Sequence, residues 1–188
     1  MSEIELIFIR HGEAANAWGA HKDPGLSPNG LKQAQSIIEN TELQKLEKFD
    51  FISSPKARAI ETSQPIANTF QKKVSIDETF NEIPSKGIAN EMKQDWLKRI
   101  ITMDKKILPS EIKKWDEEIY KRVISFQNNS IIFCHFMVIN SILSNIIKSD
   151  TILYFHPDYV SITKIVIENS QVTSCLLYTS PSPRDPIG

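Results

Sequence analysis

Three short runs carry side chains suited to handling an anion. Arg10-His11-Gly12 follows the apolar run Ile4 to Ile9. Ser53-Ser54-Pro55 follows Phe51-Ile52, with Arg58 a turn further on. His135 follows the uncharged run Ile131 to Cys134. Such a set fits phosphoryl transfer. A phosphate ester is anionic and repels nucleophiles, so cationic donors must neutralise its equatorial oxygens. Arginine does this with a rigid fork of donors that stays charged at any working pH. A neutral imidazole can attack phosphorus and split one hard step into two, and a second imidazole can donate to a phosphate oxygen. Gly12 fits a place where the backbone must approach the phosphate closely. The leaving oxygen needs a proton, so a carboxylic acid is expected opposite the nucleophile.

These residues act together only if the elements before them bring their ends to one place. The pattern predicts a buried strand over 4–9 and a helix starting at Ser27-Pro28, with Ser as N-cap and Pro at the first position, running to about Glu42. A strand at 51–53 precedes a helix with the stripe Ala59, Ile60, Ile66, Ala67 and Phe70. A strand at 74–76 and a loop over 78–90 follow, then helices over about 91–103 and from an N-cap at Ser110 to about Phe126. The uncharged strand 131–133 should be central, followed by an apolar helix over 138–147. Val160 to Ile167 reads as a strand, Glu168-Asn169-Ser170-Gln171 as a hairpin turn, and Val172 as the start of a last strand. The alternation implies an α/β fold, a three-layer α/β/α sandwich on a mainly parallel sheet with an antiparallel edge strand. Such sheets place ligand sites beyond the carboxyl ends of their strands, where the three runs lie.

Gross composition leaves this reading room. The chain has 188 residues, 40% apolar and 24% charged, with a net charge of −1, enough for one domain with an ordinary core. No basic field points to nucleic acid or a membrane surface, and no apolar run approaches a membrane span. The first residues lack the basic and cleavage features of a signal peptide. Two cysteines and no His/Cys spacing of a zinc site point to a reducing, cytoplasmic setting with no metal.

The motifs together resemble the histidine phosphatase superfamily, the phosphoglycerate mutase-like fold, and within it a bacterial phosphatase branch. The resemblance rests on Arg10-His11-Gly12-Glu13, on Leu26-Ser27-Pro28-x-Gly30-x-x-Gln33-Ala34, on Ser53-Ser54-Pro55-x-x-Arg58-Ala59-x-x-Thr62, and on the late His135, and it covers residues 4 to about 168. The stretch Glu82-Ile83-Pro84-Ser85, with Trp96-Leu97 and Cys134-His135-Phe136, carries the likeness to the phosphatase branch. It implies His11 as nucleophile, Arg10, Arg58 and His135 as phosphate binders, and Glu82 as proton donor. Glu78, Glu91 and Glu13 are the rival acids. No cofactor is expected, and the expected partner is a small phosphorylated substrate or a phosphoprotein, with no nucleic acid and no membrane. The activity implied is phosphomonoester (or phosphohistidine) hydrolysis through a phosphohistidine intermediate. A phosphoglycerate mutase-type transferase and a non-catalytic phosphate-binding module are the alternatives. Two positions depart from the family: Phe136 stands where Gly is usual, and Ala17 stands where the mutases carry Asn.

Plainer roles fit the remaining candidates. His21 and His156 read as structural or surface residues, Cys134 as an inert buried thiol, and the charges from Lys113 to Lys121 as a solvated helix face. Trp18 is placed either in packing or at the substrate entrance. Residues 83–110 are expected to shape substrate choice. The last stretch, 175–188, holds three of the ten prolines. Its residues 175–185 resemble a translated transposase-type sequencing adapter. The expectation is a catalytic domain over 1–174 and a non-native, unstructured tail over 175–188, in place of the true C-terminus.

Overall fold

A computed structural model describes residues 3–178. Six strands form one sheet in the order β3-β2-β4-β1-β5-β6: β1 (Ile4–Arg10), β2 (Asp50–Ser53), β3 (Val74–Ile76), β4 (Ser130–Cys134), β5 (Ile162–Glu168) and β6 (Gln171–Tyr178). The first four are parallel to one another, and β5 runs antiparallel to both β1 and β6. The antiparallel element is thus a hairpin, and its outer strand makes the edge. Its turn falls where expected, with Asn169 and Ser170 both at positive φ, the backbone that a tight hairpin connection needs.

Alternation along the central strands divides the interior in two. Leu6, Phe8, Ile132 and Cys134 face one core, with residues of the helices α3 (Lys93–Thr102), α4 (Ser110–Ile124) and α5 (Phe136–Ile146). Ile7, Ile9, Ile131 and Phe133 face the other, with Ala59, Ile66 and Ala67 of α2 (Ala57–Thr69) and Ile37 and Leu43 beyond α1 (Pro28–Ser36). Successive strand side chains point to opposite faces, so β1 and β4, apolar at consecutive positions, must be covered on both.

Three boundaries differ from expectation. The first helix ends at Ser36, not Glu42, and two 3-10 turns follow. Asn40 breaks it: its backbone is extended and its side chain caps the Glu42 N–H at 2.9 Å. Ser110 is the first helical residue of α4 rather than its cap, a position that Pro109 takes. At the C-terminal end, Cys175 to Tyr178 are strand, paired with Ile165 to Ile162. The ordered sheet therefore runs four residues past the expected boundary at 174, because β5 offers a free edge to any extended chain beside it. The rest of that tail, 179–188, lies outside the described residues. Among the described residues, no helix is long and apolar enough to cross a membrane, and both cysteines are free.

Candidate active site

The site begins with strand register. Arg10 of β1 pairs in parallel with Cys134 of β4, so the next residues, His11 and His135, emerge side by side. The His11 N–H extends the ladder to the Cys134 carbonyl at 3.0 Å, and the two rings lie 5.2 Å apart. On β4's other side, the Ser54 N–H bonds the Phe133 carbonyl at 2.9 Å, which puts the Ser54 hydroxyl 2.6 Å from His135 Nε2. Arg58 and Thr62 are four apart on α2 and share one face. The Thr62 hydroxyl accepts from the Gly12 N–H at 3.0 Å and donates to the Arg58 carbonyl, tying the helix to the end of β1.

His11 is buried, and its hydrogen bonds define its tautomer. Nδ1 lies 2.6 Å from the Gly12 carbonyl, which can only accept, so Nδ1 carries the proton. Nε2 accepts from Arg58 Nε at 3.1 Å and holds the lone pair. Burial, with the charge of Arg58 added, lowers the His11 pKa to about 3, so the ring is neutral over the working range. His135 is fully buried and is also driven well below the usual histidine value, chiefly by burial. Its Nδ1 has no hydrogen-bond partner among the described residues and lies 3.6 Å from Glu82 Oε2.

Of the four candidate acids, only Glu82 is placed among these groups. Its Oε1 accepts from the Ile83 N–H at 2.9 Å, and its Oε2 lies 3.8 Å from an Arg58 terminal nitrogen. Burial raises its pKa against the opposing pull of Arg58. Glu78 and Glu91 are exposed on 3-10 turns. Glu13 reaches the cavity, but Ser27 and Asn29 donate to its carboxylate and hold its pKa down. Ser27 is at once the N-cap of α1, accepting from Gly30 N at 2.9 Å, and Gln33 accepts from the Glu13 N–H at 2.7 Å. The Ser27-Pro28-x-Gly30-x-x-Gln33 run is thus a clasp on Glu13. Gly12 has a reason in the fold itself: a Cβ there would meet the Gly30 carbonyl at 2.8 Å. It is required by close packing against the start of α1.

Arg10 completes the floor. One terminal nitrogen donates to the Pro157 carbonyl at 2.7 Å, and its guanidinium lies 4.1 Å from the Tyr159 ring centroid and 5.2 Å from that of Phe136. Among the described residues, its Nε is buried without a hydrogen-bond partner. Sequence reasoning missed Tyr159 and Lys56, which also line the cavity. Tyr159 lies in an irregular segment with no periodicity. The antiparallel pairing of Ile9 with Ile162 is the signal that brings it beside Arg10.

A cavity of about 630 Å³ opens above this floor. Its outer wall joins residues 14–24 to residues 83–97. Trp18 stacks on Trp96 at 6.3 Å and 22°, Gln94 donates to the Trp18 carbonyl at 2.9 Å, and the Lys93 ammonium lies 5.9 Å from the Trp18 ring. Trp18 thus serves both packing and the entrance. His21 lies exposed at the mouth, while His156 is exposed beside Phe136. Among the described residues, no cluster of metal-ligating side chains occurs.

The comparisons agree with this architecture. The histidine phosphatase superfamily (branch 1) matches over residues 6–179, and the chain belongs to that superfamily. It is 35% identical over 127 residues to a 2,3-bisphosphoglycerate-dependent phosphoglycerate mutase of Thermoplasma acidophilum, an alignment covering 63% of this chain and 62% of the relative. The chain therefore spans under two thirds of that relative's length. Its fold matches an alpha-ribazole phosphatase of Shigella flexneri at 18% identity, with a TM-score of 0.73 over 94% of this chain and 96% of the other. It also matches an Entamoeba histolytica phosphoserine phosphatase in complex with 3-phosphoglyceric acid at 21% identity, with a TM-score of 0.71 over 95% and 98%. A mycobacterial glucosyl-3-phosphoglycerate phosphatase gives 15% identity and a TM-score of 0.71 over 95% and 100%.

Proposed function

We propose that the protein is a phosphomonoesterase that works through a phosphohistidine on His11. The observation that carries the reading is the neutral His11 ring, its Nδ1–H on the Gly12 carbonyl and its Nε2 lone pair facing Arg58. In the resting site the Arg58 Nε–H occupies that lone pair. An incoming phosphoryl group displaces it, and the guanidinium turns to a phosphoryl oxygen. Nε2 then attacks phosphorus while the ester P–O bond breaks. The Gly12 carbonyl balances the charge that develops on the ring. Arg10, with its uncommitted Nε, and His135, through Nδ1–H, supply the other donors. The Ser54 hydroxyl accepts from the Lys56 N–H and so can donate to His135 Nε2, which leaves the proton on Nδ1.

Glu82, with its pKa raised by burial, gives its proton to the leaving oxygen. As a carboxylate it then takes a proton from water, whose oxygen attacks the phosphohistidine, freeing His11 and inorganic phosphate. Phosphate release from a nitrophenyl phosphate by wild type and His11→Ala tests the assignment, and equal rates in the two proteins refute it.

The cavity supports a small phosphate ester with a further anionic group. Lys22, Lys56 and Lys93 line it and form no ion pair with a carboxylate among the described residues. Glu13 is already engaged by Ser27 and Asn29. The positive charge therefore exceeds what one phosphoryl group neutralises. The 35% identical mutase supports a second reading, transfer of the phosphoryl group back to an organic acceptor. Conversion of 3-phosphoglycerate to 2-phosphoglycerate without net phosphate release would establish it over hydrolysis.

A further inference from the structure

We infer that Asn140, a buried side chain on α5, is the positioning residue for Arg10. The inference rests on the reading of Arg10 as a phosphate binder. To meet an anion, the Arg10 guanidinium must be held in one place. What holds it is the irregular segment 154–161, which supplies the Pro157 carbonyl at 2.7 Å, the Tyr159 ring at 4.1 Å, the Val160 N–H to the Arg10 carbonyl at 3.1 Å, and the Ser161 carbonyl to the Arg10 N–H at 3.3 Å. An irregular segment holds a shape only where its backbone groups are tied down. Asn140 ties this one. Its Oδ1 accepts from the Tyr154 N–H at 2.8 Å and the Phe155 N–H at 3.0 Å, using both lone pairs on consecutive residues.

The same side chain reaches the other flank of Arg10. Asn140 Nδ2 donates to the Phe136 carbonyl at 3.0 Å, and the Phe136 ring lies 5.2 Å from the guanidinium. One fully buried amide thus anchors the segments that carry both rings beside Arg10 and the carbonyl it bonds. With one terminal N–H committed to Pro157, the guanidinium keeps donors for an anion, and Nε, which has no hydrogen-bond partner among the described residues, is one of them. Asn140 makes no hydrogen bond to His11 or Glu82 among the described residues; the segment it tethers reaches Arg10, and because the Tyr159 ring of that segment also lies 6.2 Å from that of His11, a cycle on Arg10 decides the route.

The test is a double-mutant cycle on the affinity for inorganic phosphate, read as competitive inhibition of nitrophenyl phosphate hydrolysis, with thermal melts confirming folded protein. Asn140→Ala is expected to weaken phosphate binding and raise KM together by about tenfold, with kcat changed less than about threefold. On the Arg10→Ala background, Asn140→Ala should add less than about twofold, since the group it positions is gone. Unchanged phosphate affinity in folded Asn140→Ala overturns the inference. So does a full, multiplicative effect on the Arg10→Ala background, which marks a merely structural role. Should Asn140→Ala fail to fold, Tyr154→Pro deletes one of the two tethered N–H groups at an exposed residue and is read in the same cycle. If Arg10→Ala alone leaves phosphate affinity intact, the failure lies in the phosphate-binding reading of Arg10 and not in the Asn140 relay alone.

Discussion

The floor of the cavity and its outer wall are built in different ways. The floor is set by strand register: His11 and His135 are neighbours because β1 and β4 pair in parallel, and Ser54 joins them because β2 pairs with β4. Its groups are buried and, apart from the donors left for an anion, hydrogen-bonded. The wall is set by the irregular stretch 14–24 and by the loop and first turn of α3, which meet through Trp18 and Trp96, with Lys22 and Lys93 along it and without a carboxylate ion pair among the described residues. A sheet fixes positions to within a rotamer, while long connections vary with little cost to the fold. The proposed function assigns chemistry to the first region and choice of leaving group to the second.

The largest effect should come from the floor. Glu82→Gln cannot donate a proton, so kcat for an alkyl phosphate should fall by about 10³-fold. In kcat/KM, which reports the first step, a nitrophenyl phosphate, whose leaving oxygen needs no proton, should lose far less. The pH profile gives the sign. Glu82 must start protonated, so kcat/KM holds on the acid side of its raised pKa and falls as pH rises through it, a limb that Glu82→Gln should lack. His11 stays neutral down to about 3 and imposes no loss at mildly acidic pH. Equal losses of kcat/KM on both esters would remove Glu82 from the acid role.

Smaller in rate but still of the floor is Gly12→Ala. Its Cβ would sit 2.8 Å from the Gly30 carbonyl, and the strain should cost about 1–3 kcal/mol, a Tm decrease of several degrees in a melt. An unchanged Tm would show that the contact between β1's end and α1 yields easily.

The smallest effects belong to the wall. Trp18→Ala should raise KM by about two- to tenfold with kcat on a nitrophenyl ester unchanged. Lys93→Ala should lower kcat/KM for a phosphorylated carboxylic acid and spare the simple ester. A drop in kcat on the simple ester in either variant would erase the division between floor and wall.

The sequence made the floor legible and the wall mostly not. An apolar run ended by Arg10-His11-Gly12 already implies a buried strand with its chemistry at the carboxyl end, and α/β alternation supplies the parallel neighbours. Glu82 was one of four acids until geometry separated them, because burial against Arg58 and His135 depends on contacts far apart in the chain. At Gly12 the local motif does not encode the backbone contact with Gly30 that leaves no room for a Cβ. Tyr159 and Lys56 had no periodicity to mark them. The apolar pattern carries the first helix six residues past its end at Ser36, since the capping side chain of Asn40 ends what that pattern would continue.

Rapid acid-free quenching of the protein with a labelled phosphate ester, followed by peptide mapping, tests the central claim most directly. A single acid-labile phosphoryl group is expected on Nε2 of His11, absent from His11→Ala and longer-lived in Glu82→Gln. Label on another residue, or turnover with no protein-bound phosphoryl group at any time point, would contradict it.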